Sequence, residues 1–308
     1  MEEHDLIVIG AGPAGMTAGL YAAWSNIDSL VIETIGPGGQ MATAHNIKNY
    51  PGFPDGIGGM ELAELMKTHA ENLGAIIKSL DEVKKVEKKG NHFNVTTYQG
   101  KYKAKAVIIA TGLYRKNLGV PGEKEFKGMG VSYCATCDGP FFKDRRTVVI
   151  GSGTHAASEA IYLSDIASEV KLIMKRDHPI ITNKDTERQL EESKIEVLTN
   201  TEVLEIIGTK MAGGIRVKDT KTGTERTIET DGVFIEAGRL PNIALLEGLD
   251  VKTDEKGYII TNALQETSIK GLYAAGDVTA GKVKQVGTAV GQGTIAALSA
   301  RDYIKSMK

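Results

Sequence analysis

What most limits the folds open to this chain is a unit that occurs twice in its 308 residues. In the first copy the apolar run Leu6-Ile7-Val8-Ile9 meets Gly10-Ala11-Gly12-Pro13-Ala14-Gly15. A helical stretch from Met16 to Trp24 follows, and a second apolar run, Ser29 to Ile32, ends in Glu33. Strand, glycine turn, helix, strand and a later acid are the context that makes this turn informative about dinucleotides. Gly10 permits the tight turn, Gly12 lets the backbone approach a pyrophosphate, and Gly15 lets the helix close on the strand. The diphosphate lies at the helix start, around Pro13 and Ala14, and Glu33 accepts from the ribose hydroxyls.

The second copy runs from Thr147-Val148-Val149-Ile150 into Gly151-Ser152-Gly153-Thr154-His155-Ala156, with alanine in the third position. Its next strand, Val170 to Ile173, ends at Met174, which follows Ala156 by the same 18 residues that separate Glu33 from Gly15. The copies differ where a ribose is read. Met174 offers a free 2′-hydroxyl no acid. Lys175 and Arg176 beyond it either tolerate a 2′-phosphate or are a solvated charge pair at a strand end.

Between the copies stand the only two cysteines, in Cys134-Ala135-Thr136-Cys137-Asp138. This spacing lowers one thiol's pKa and lets one sulfur attack the other, as disulfide exchange requires. A zinc half-site has the same spacing but needs two more ligands, and the histidines at 4, 45, 69, 92, 155 and 178 lack ligand spacing. Near βαβ units the pair points to redox, with buried structural thiols as the plain alternative. A formal net charge of −2 gives no basic excess for nucleic acid. The acidic start Met1-Glu2-Glu3 lacks a signal peptide's character, and no apolar run approaches membrane-span length. The expectation is a soluble, cytoplasmic chain with a working dithiol.

Gly36-Pro37-Gly38-Gly39-Gln40 and Asn49-Tyr50-Pro51-Gly52-Phe53-Pro54, taken alone, are surface turns. Met60 to Asn72 has the spacing of an amphipathic helix. Glu82–Lys88, Phe93–Tyr98 and Tyr102–Lys105 form an expected β-meander, and Val107 to Gly112 a separate buried strand. Asp231 to Asn242 closes the second copy. Gly271-Leu272-Tyr273-Ala274-Ala275-Gly276-Asp277-Val278 is a strand ending in a glycine and a carboxylate, and Val286 to Tyr303 a glycine-punctuated helix.

In order and spacing, the two glycine turns, Gly38-Gly39-Gln40, Asn49 to Phe53, Ala110-Thr111-Gly112, Cys134 to Gly139 and Tyr273 to Val278 make the whole chain resemble the low-molecular-weight thioredoxin reductases. The resemblance implies an α/β fold of two Rossmann-like three-layer domains with β-meanders, the second inserted into the first. Residues 1–115 and 244–308 would bind FAD, and residues 116–243 would carry the Cys pair. It implies that Gly10, Gly12, Gly15 and Glu33 hold the adenosine end, with Val83 near adenine. Gly39, Gln40, Asn49, Thr111, Gly112, Gly276, Asp277, Lys284, Gln285 and Val286 would serve the flavin side, and Gly151, Gly153, Ala156, Lys175 and Arg176 a nucleotide such as NADPH. It further implies that Cys137 is the sulfur next to the flavin, Cys134 the outward nucleophile and Asp138 the acid that protonates a departing thiolate, which calls for a raised pKa. Thioredoxin is the implied partner and a homodimer the implied assembly. One pose cannot serve both flavin and partner, so the Cys domain is expected to swing near Arg115–Leu118 and Pro241–Ile243.

Two departures bear on the electron donor. NADPH-using members carry His-Arg-Arg after the second copy's second strand and a further Arg; here Met174-Lys175-Arg176 is followed by Ile181 at the later position. Thr154-His155 replaces a short acidic or amide residue and a small one. Ferredoxin or a reduced deazaflavin becomes the expected donor, with NADPH a poor one. A flavin-dependent dithiol oxidase, a non-enzymatic FAD-binding redox sensor and a zinc module are the rival readings.

Overall fold

The computed structural model describes residues 1–44 and 46–307; His45, counted among the histidines above, lies outside the described residues. The chain divides into two compact units, Met1–Tyr114 with Leu240–Lys308, and Arg115–Arg239. In the first, β1 (Glu2–Ile9) leads through α1 (Pro13–Trp24) to β2 (Ser29–Ile32), and α2 (Gly59–Asn72) leads to β3 (Ile76–Lys78). Next come β4 (Val83–Lys89), β5 (His92–Thr97) and β6 (Lys101–Ile109), giving the sheet order β3-β2-β1-β6-β5-β4. Pairing is parallel from β3 to β6 and antiparallel through the meander.

The separate strands expected at Tyr102–Lys105 and Val107–Gly112 are one strand, β6. Its first half alternates between exposed or half-buried and buried positions, as suits a meander strand, and residues 106–109 are buried throughout. No Gly, Pro or Asn interrupts Ala104-Lys105-Ala106, so nothing turns the chain there. One strand can therefore pair antiparallel with β5 near its start and parallel with β1 along its length.

β7 (Leu113–Arg115) leads to the second unit: β8 (Val131–Ser132), α3 (Ala135–Asp138), β9 (Arg146–Ile150), α4 (Thr154–Ser164), β10 (Glu169–Ile173), α5 (Lys184–Glu192) and β11 (Glu196–Leu198). A meander of β12 (Thr201–Gly208), β13 (Ala212–Asp219) and β14 (Glu225–Glu229) precedes β15 (Gly232–Ile235). The parallel sheet has the order β11-β10-β9-β15-β8. β16 (Arg239–Pro241) pairs with β7 and returns the chain, β17 (Leu272–Ala274) joins the end of β6, and α6 (Val286–Ser306) closes the first unit.

Alternation along the strands sorts each core into two faces. Leu6, Val8, Val31 and Ile108 pack with residues of α1, α2 and α6, while Ile7, Ile9, Ile32, Val107 and Ile109 pack with Val86, Phe93 and Val95 of the meander. The second unit repeats this, with Val149, Leu172 and Phe234 facing α4, and Val148, Ile150 and Val233 facing β12 and β13. Each unit is thus helix, sheet and meander in three layers. The repeat extends to single bonds. Gly10 N donates to Ile32 O (2.8 Å) as Gly151 N does to Ile173 O (2.9 Å), and Ala110 N to Ile9 O (2.8 Å) as Glu236 N does to Ile150 O (2.8 Å).

Candidate functional site

In the first unit the singled-out residues gather at the carboxyl ends of β1, β2, β6 and β17. The strand order reverses there between β1 and β6, where open α/β sheets form their ligand crevice. A Cβ on Gly15 would lie 1.7 Å from Gly10 O, and one on Gly10 would lie 2.4 Å from Ala110 O, so helix and strands close to backbone contact. A Cβ on Gly12, the N-cap of α1, would meet nothing within 4 Å. Pro13, Ala14 and Gly15 begin the helix, leaving first-turn amides directed at that open space. Glu33 accepts from Ala11 N (2.7 Å) through Oε2 and from Ile35 N (3.1 Å) through Oε1, which fixes its carboxylate beside the turn. Asp81 N donates to Glu33 O (3.0 Å), bringing the start of β4, with half-buried Val83, alongside.

Gly38 N donates to Ala11 O (2.7 Å), so the Gly36–Gln40 stretch folds onto the glycine turn instead of lying apart as a surface loop. Gln40 donates to Leu113 O (2.6 Å), next to Gly112, and the Thr111 hydroxyl donates to Asn242 O (2.6 Å). Asn49 and Gln285, 236 residues apart, meet in a side-chain hydrogen bond of 2.9 Å, with Gln285 also capping α6 just before Val286. Gln292 of α6 accepts from Gly276 N (2.8 Å). The Lys284 ammonium donates to the carbonyls of Asp277 (2.9 Å) and Thr279 (2.5 Å), and burial lowers its pKa against the pull of Asp277 and Asp254.

The cysteines lie in the second unit, joined as a disulfide with Cα atoms 5.3 Å apart. Cys134 caps α3 and its Sγ accepts from Cys137 N (3.2 Å). Ser132 donates to Asp138 Oδ2 (2.6 Å) and accepts from Cys134 N (3.0 Å), so one hydroxyl ties the acid to the disulfide segment. Buried Glu123 accepts from Tyr133 OH (2.7 Å) and from the amides of Leu118 and Gly119 (2.8 and 2.6 Å), anchoring the residue before Cys134. Among the described residues no three His, Cys, Asp or Glu groups converge as a metal set.

At the second glycine turn Gly153 caps α4, and a Cβ on it would meet nothing within 4 Å, while one on Gly151 would lie 2.8 Å from the Ala156 methyl. Met174 is buried, Lys175 pairs with Glu202 (2.6 Å), and Arg176 has no ion-pair partner among the described residues. Ile180 N donates to Ser152 O (2.6 Å) and Thr182 N to Thr154 Oγ1 (3.0 Å), so residues 180–182 lie against this turn.

Spacing did not find Glu159 and Glu236, which stand with Arg115 and Arg239 beside α3. Arg115 Nη1 is 2.7 Å from Glu236 Oε1 and 3.4 Å from Glu159 Oε1, and Glu159 Oε1 is 3.5 Å from Ala135 N. The signal was a charged residue directly after the buried run Val233-Phe234-Ile235, at the position that Ala110 fills in the first copy.

A glycine-turn cradle in one unit and a paired Cys-x-x-Cys in the other are the working parts of a disulfide oxidoreductase. The sequence profile of the pyridine nucleotide-disulphide oxidoreductases matches residues 4–293. The thioredoxin reductase of Bacillus subtilis (strain 168) is 43% identical over 306 residues, 99% of this chain and 96% of that protein. Solved thioredoxin reductases from Lactococcus lactis and T. acidophilum match with TM-scores of 0.94 and 0.93 at 37% and 41% identity, covering 98% and 100% of this chain and 99% and 100% of theirs. A ferredoxin-flavin thioredoxin reductase from Clostridium acetobutylicum matches at 33% identity with TM-score 0.55 over 99% of each chain. The chain belongs to the pyridine nucleotide-disulphide oxidoreductase family and is of the low-molecular-weight thioredoxin reductase type. No helix among the described residues is long and apolar enough to cross a membrane.

Proposed function

We propose that the chain is a thioredoxin-disulfide reductase whose first unit holds FAD and whose Cys134–Cys137 pair passes electrons to thioredoxin. The observation that carries this is the disulfide itself, formed between the only two sulfur atoms of cysteine in the chain and lying beside a carboxyl. FAD is supported by the open space at Gly12, the fixed Glu33 carboxylate, and the Asn49–Gln285 and Lys284–Asp277 links at the far end of the same crevice. Held by these residues, FAD would supply the electron pair needed to open the disulfide.

The chain's own residues do the rest. Cys134 thiolate attacks one sulfur of the partner's disulfide, forming a mixed disulfide and expelling the partner's other sulfur, which takes a proton from Asp138. The Cys137 thiol then gives its proton to the Asp138 carboxylate and attacks Cys134 Sγ as the thiolate, restoring the internal disulfide and releasing the partner's second thiolate. Ser132 holds Asp138 at the segment that needs it.

For the donor we propose ferredoxin or a reduced deazaflavin ahead of NADPH, on the grounds of buried Met174, apolar Ile181 and the close 180–182 segment. The functional test supplies electrons to flavin-loaded protein and counts new thiols on oxidised thioredoxin. Turnover is expected in the wild type, with a loss of about three orders of magnitude or more in Cys134→Ser and about a hundredfold in Asp138→Asn. Flavin that is reduced without any thiol appearing on thioredoxin, or dithiol-driven oxygen consumption in its place, defeats the assignment.

A further inference from the structure

A group of charges, half-buried but for the buried Glu236, sits one hydrogen bond from the redox segment and has no part in the exchange just described. Glu159 of α4 directs Oε1 at the Ala135 amide, which follows Cys134. Around it stand Glu236 after β15, Arg115 of β7 and Arg239 of β16, whose guanidinium is 3.6 Å from Glu236 Oε2. His155, on α4 itself, faces the same group, close enough to feel the charges of Arg239, Glu236 and Arg115. The two carboxyls are within hydrogen-bonding reach of each other, yet Glu159 Oε2 is fully buried and has no donor among the described residues. Two carboxylates cannot hydrogen-bond, whereas an acid and a carboxylate can. Burial, then the Glu236 charge, pushes the Glu159 carboxyl up to about 8 against the pull of Arg115. A proton carried by Glu159 between the two carboxyls satisfies the orphaned oxygen.

Resting on the disulfide-reductase reading above, we propose that Glu159 is a positioning residue kept as a neutral acid beside Glu236. It holds the Ala135 amide without placing a negative charge next to the sulfurs, and its deprotonation disfavours the reduced form of Cys134 and Cys137. Reduction adds two electrons and one proton to the disulfide, breaks the S–S bond and leaves one thiol and one thiolate. The thiolate repels a second negative charge, so Glu159 keeps its proton to higher pH in reduced than in oxidised protein. Oxidised protein loses that proton near pH 8 and reduced protein loses it later. Between those points reduction takes up one proton more than it does below pH 8, and the reduced fraction falls more steeply as pH rises.

The test equilibrates flavin-loaded protein, without oxygen, with mixtures of dithiothreitol and its cyclic disulfide, which exchange two electrons and two protons. Protein thiols are counted by alkylation and mass across roughly pH 6 to 9.5. Because dithiothreitol gives up two protons for the one the protein takes up, the wild-type ratio of reduced to oxidised protein should rise about tenfold per pH unit below pH 8, and above pH 8 it should fall below that line by a factor approaching about ten per unit, one proton's worth. Glu159→Gln, which keeps the bonds to Ala135 and Glu236 but cannot titrate, should lack that extra fall. Glu236→Gln, which removes the neighbouring charge, should move it to lower pH. The same pH dependence in all three proteins overturns the proposal, as does an extra fall that persists in Glu159→Gln. No thioredoxin enters the experiment, so an extra fall in a protein that cannot reduce thioredoxin defeats the functional reading and leaves this coupling standing.

Discussion

Cys134 and Cys137 differ in what their sulfurs touch. Cys134 Sγ accepts from Cys137 N at 3.2 Å and lies 3.6 Å from the Thr136 hydroxyl, and both contacts favour a thiolate on Cys134. Exposure runs the other way, since Cys137 is exposed and Cys134 only half-buried. Access and thiolate stability thus make opposite predictions about which sulfur attacks an outside disulfide. At a pH below both thiol pKa values the thiolate fraction has the larger effect on rate, because nucleophilicity falls more slowly than acidity rises. A thioredoxin carrying one cysteine as a chromophoric mixed disulfide separates the two. Reduced Cys137→Ser, which retains Cys134, should release the chromophore about tenfold faster than reduced Cys134→Ser near neutral pH. Equal or reversed rates would assign the outward role to Cys137.

The first strand-turn-helix element gives a sharper distinction, because two glycines of one turn should fail in different ways. Gly15→Ala places a methyl 1.7 Å from Gly10 O, so α1 cannot close on β1, and a loss of stability of about 3 kcal/mol or more is expected. Gly12→Val meets no protein atom at its Cβ, so the fold should hold while the branched side chain fills the crevice. The expected product is folded, colourless protein with a denaturation midpoint near that of flavin-stripped wild type. A full flavin complement in that variant would remove this turn from the cofactor site. This element was legible in the sequence because its chemistry is local: an apolar run, three glycines at fixed spacing and an acid at the next strand's end. The β6 strand was less so, because a strand that alternates in one half and is buried in the other presents two patterns, and only its partners join them. Of the Glu159–Glu236 pair only Glu236 left a mark in the sequence, as a charge directly after a buried run, and the pairing itself was not legible. Its members come from separate elements 77 residues apart, and nothing in either local stretch says that parallel strands bring α4 and the end of β15 together.

For the whole molecule the open quantity is the source of electrons, and here the two copies of one design diverge. In the first copy β2 is followed by Glu33, fixed by two amides, and in the second β10 is followed by Met174, buried in the core of its unit. NADH therefore finds no carboxylate for its ribose. NADPH finds Lys175 and Arg176. The Lys175–Glu202 pair is exposed, and such pairs contribute little, so Glu202 does not keep Lys175 from a phosphate. What is missing is a second guanidinium: Ile181 stands at the later position and packs partly on the helix-face core. A charged hydrogen bond of that kind contributes on the order of 1.5–3 kcal/mol, or about ten- to a hundredfold in affinity. NADPH should accordingly reduce the bound flavin slowly or only at high concentration, NADH no better, and ferredoxin or a reduced deazaflavin faster than both. Ile181→Arg, whose long stem can reach solvent from a half-buried position, should raise the preference for NADPH over NADH by about tenfold. Rapid-mixing measurements of flavin bleaching decide the matter. Bleaching of the wild type by micromolar NADPH, at the rate of thioredoxin turnover, would make NADPH the donor despite Met174 and Ile181.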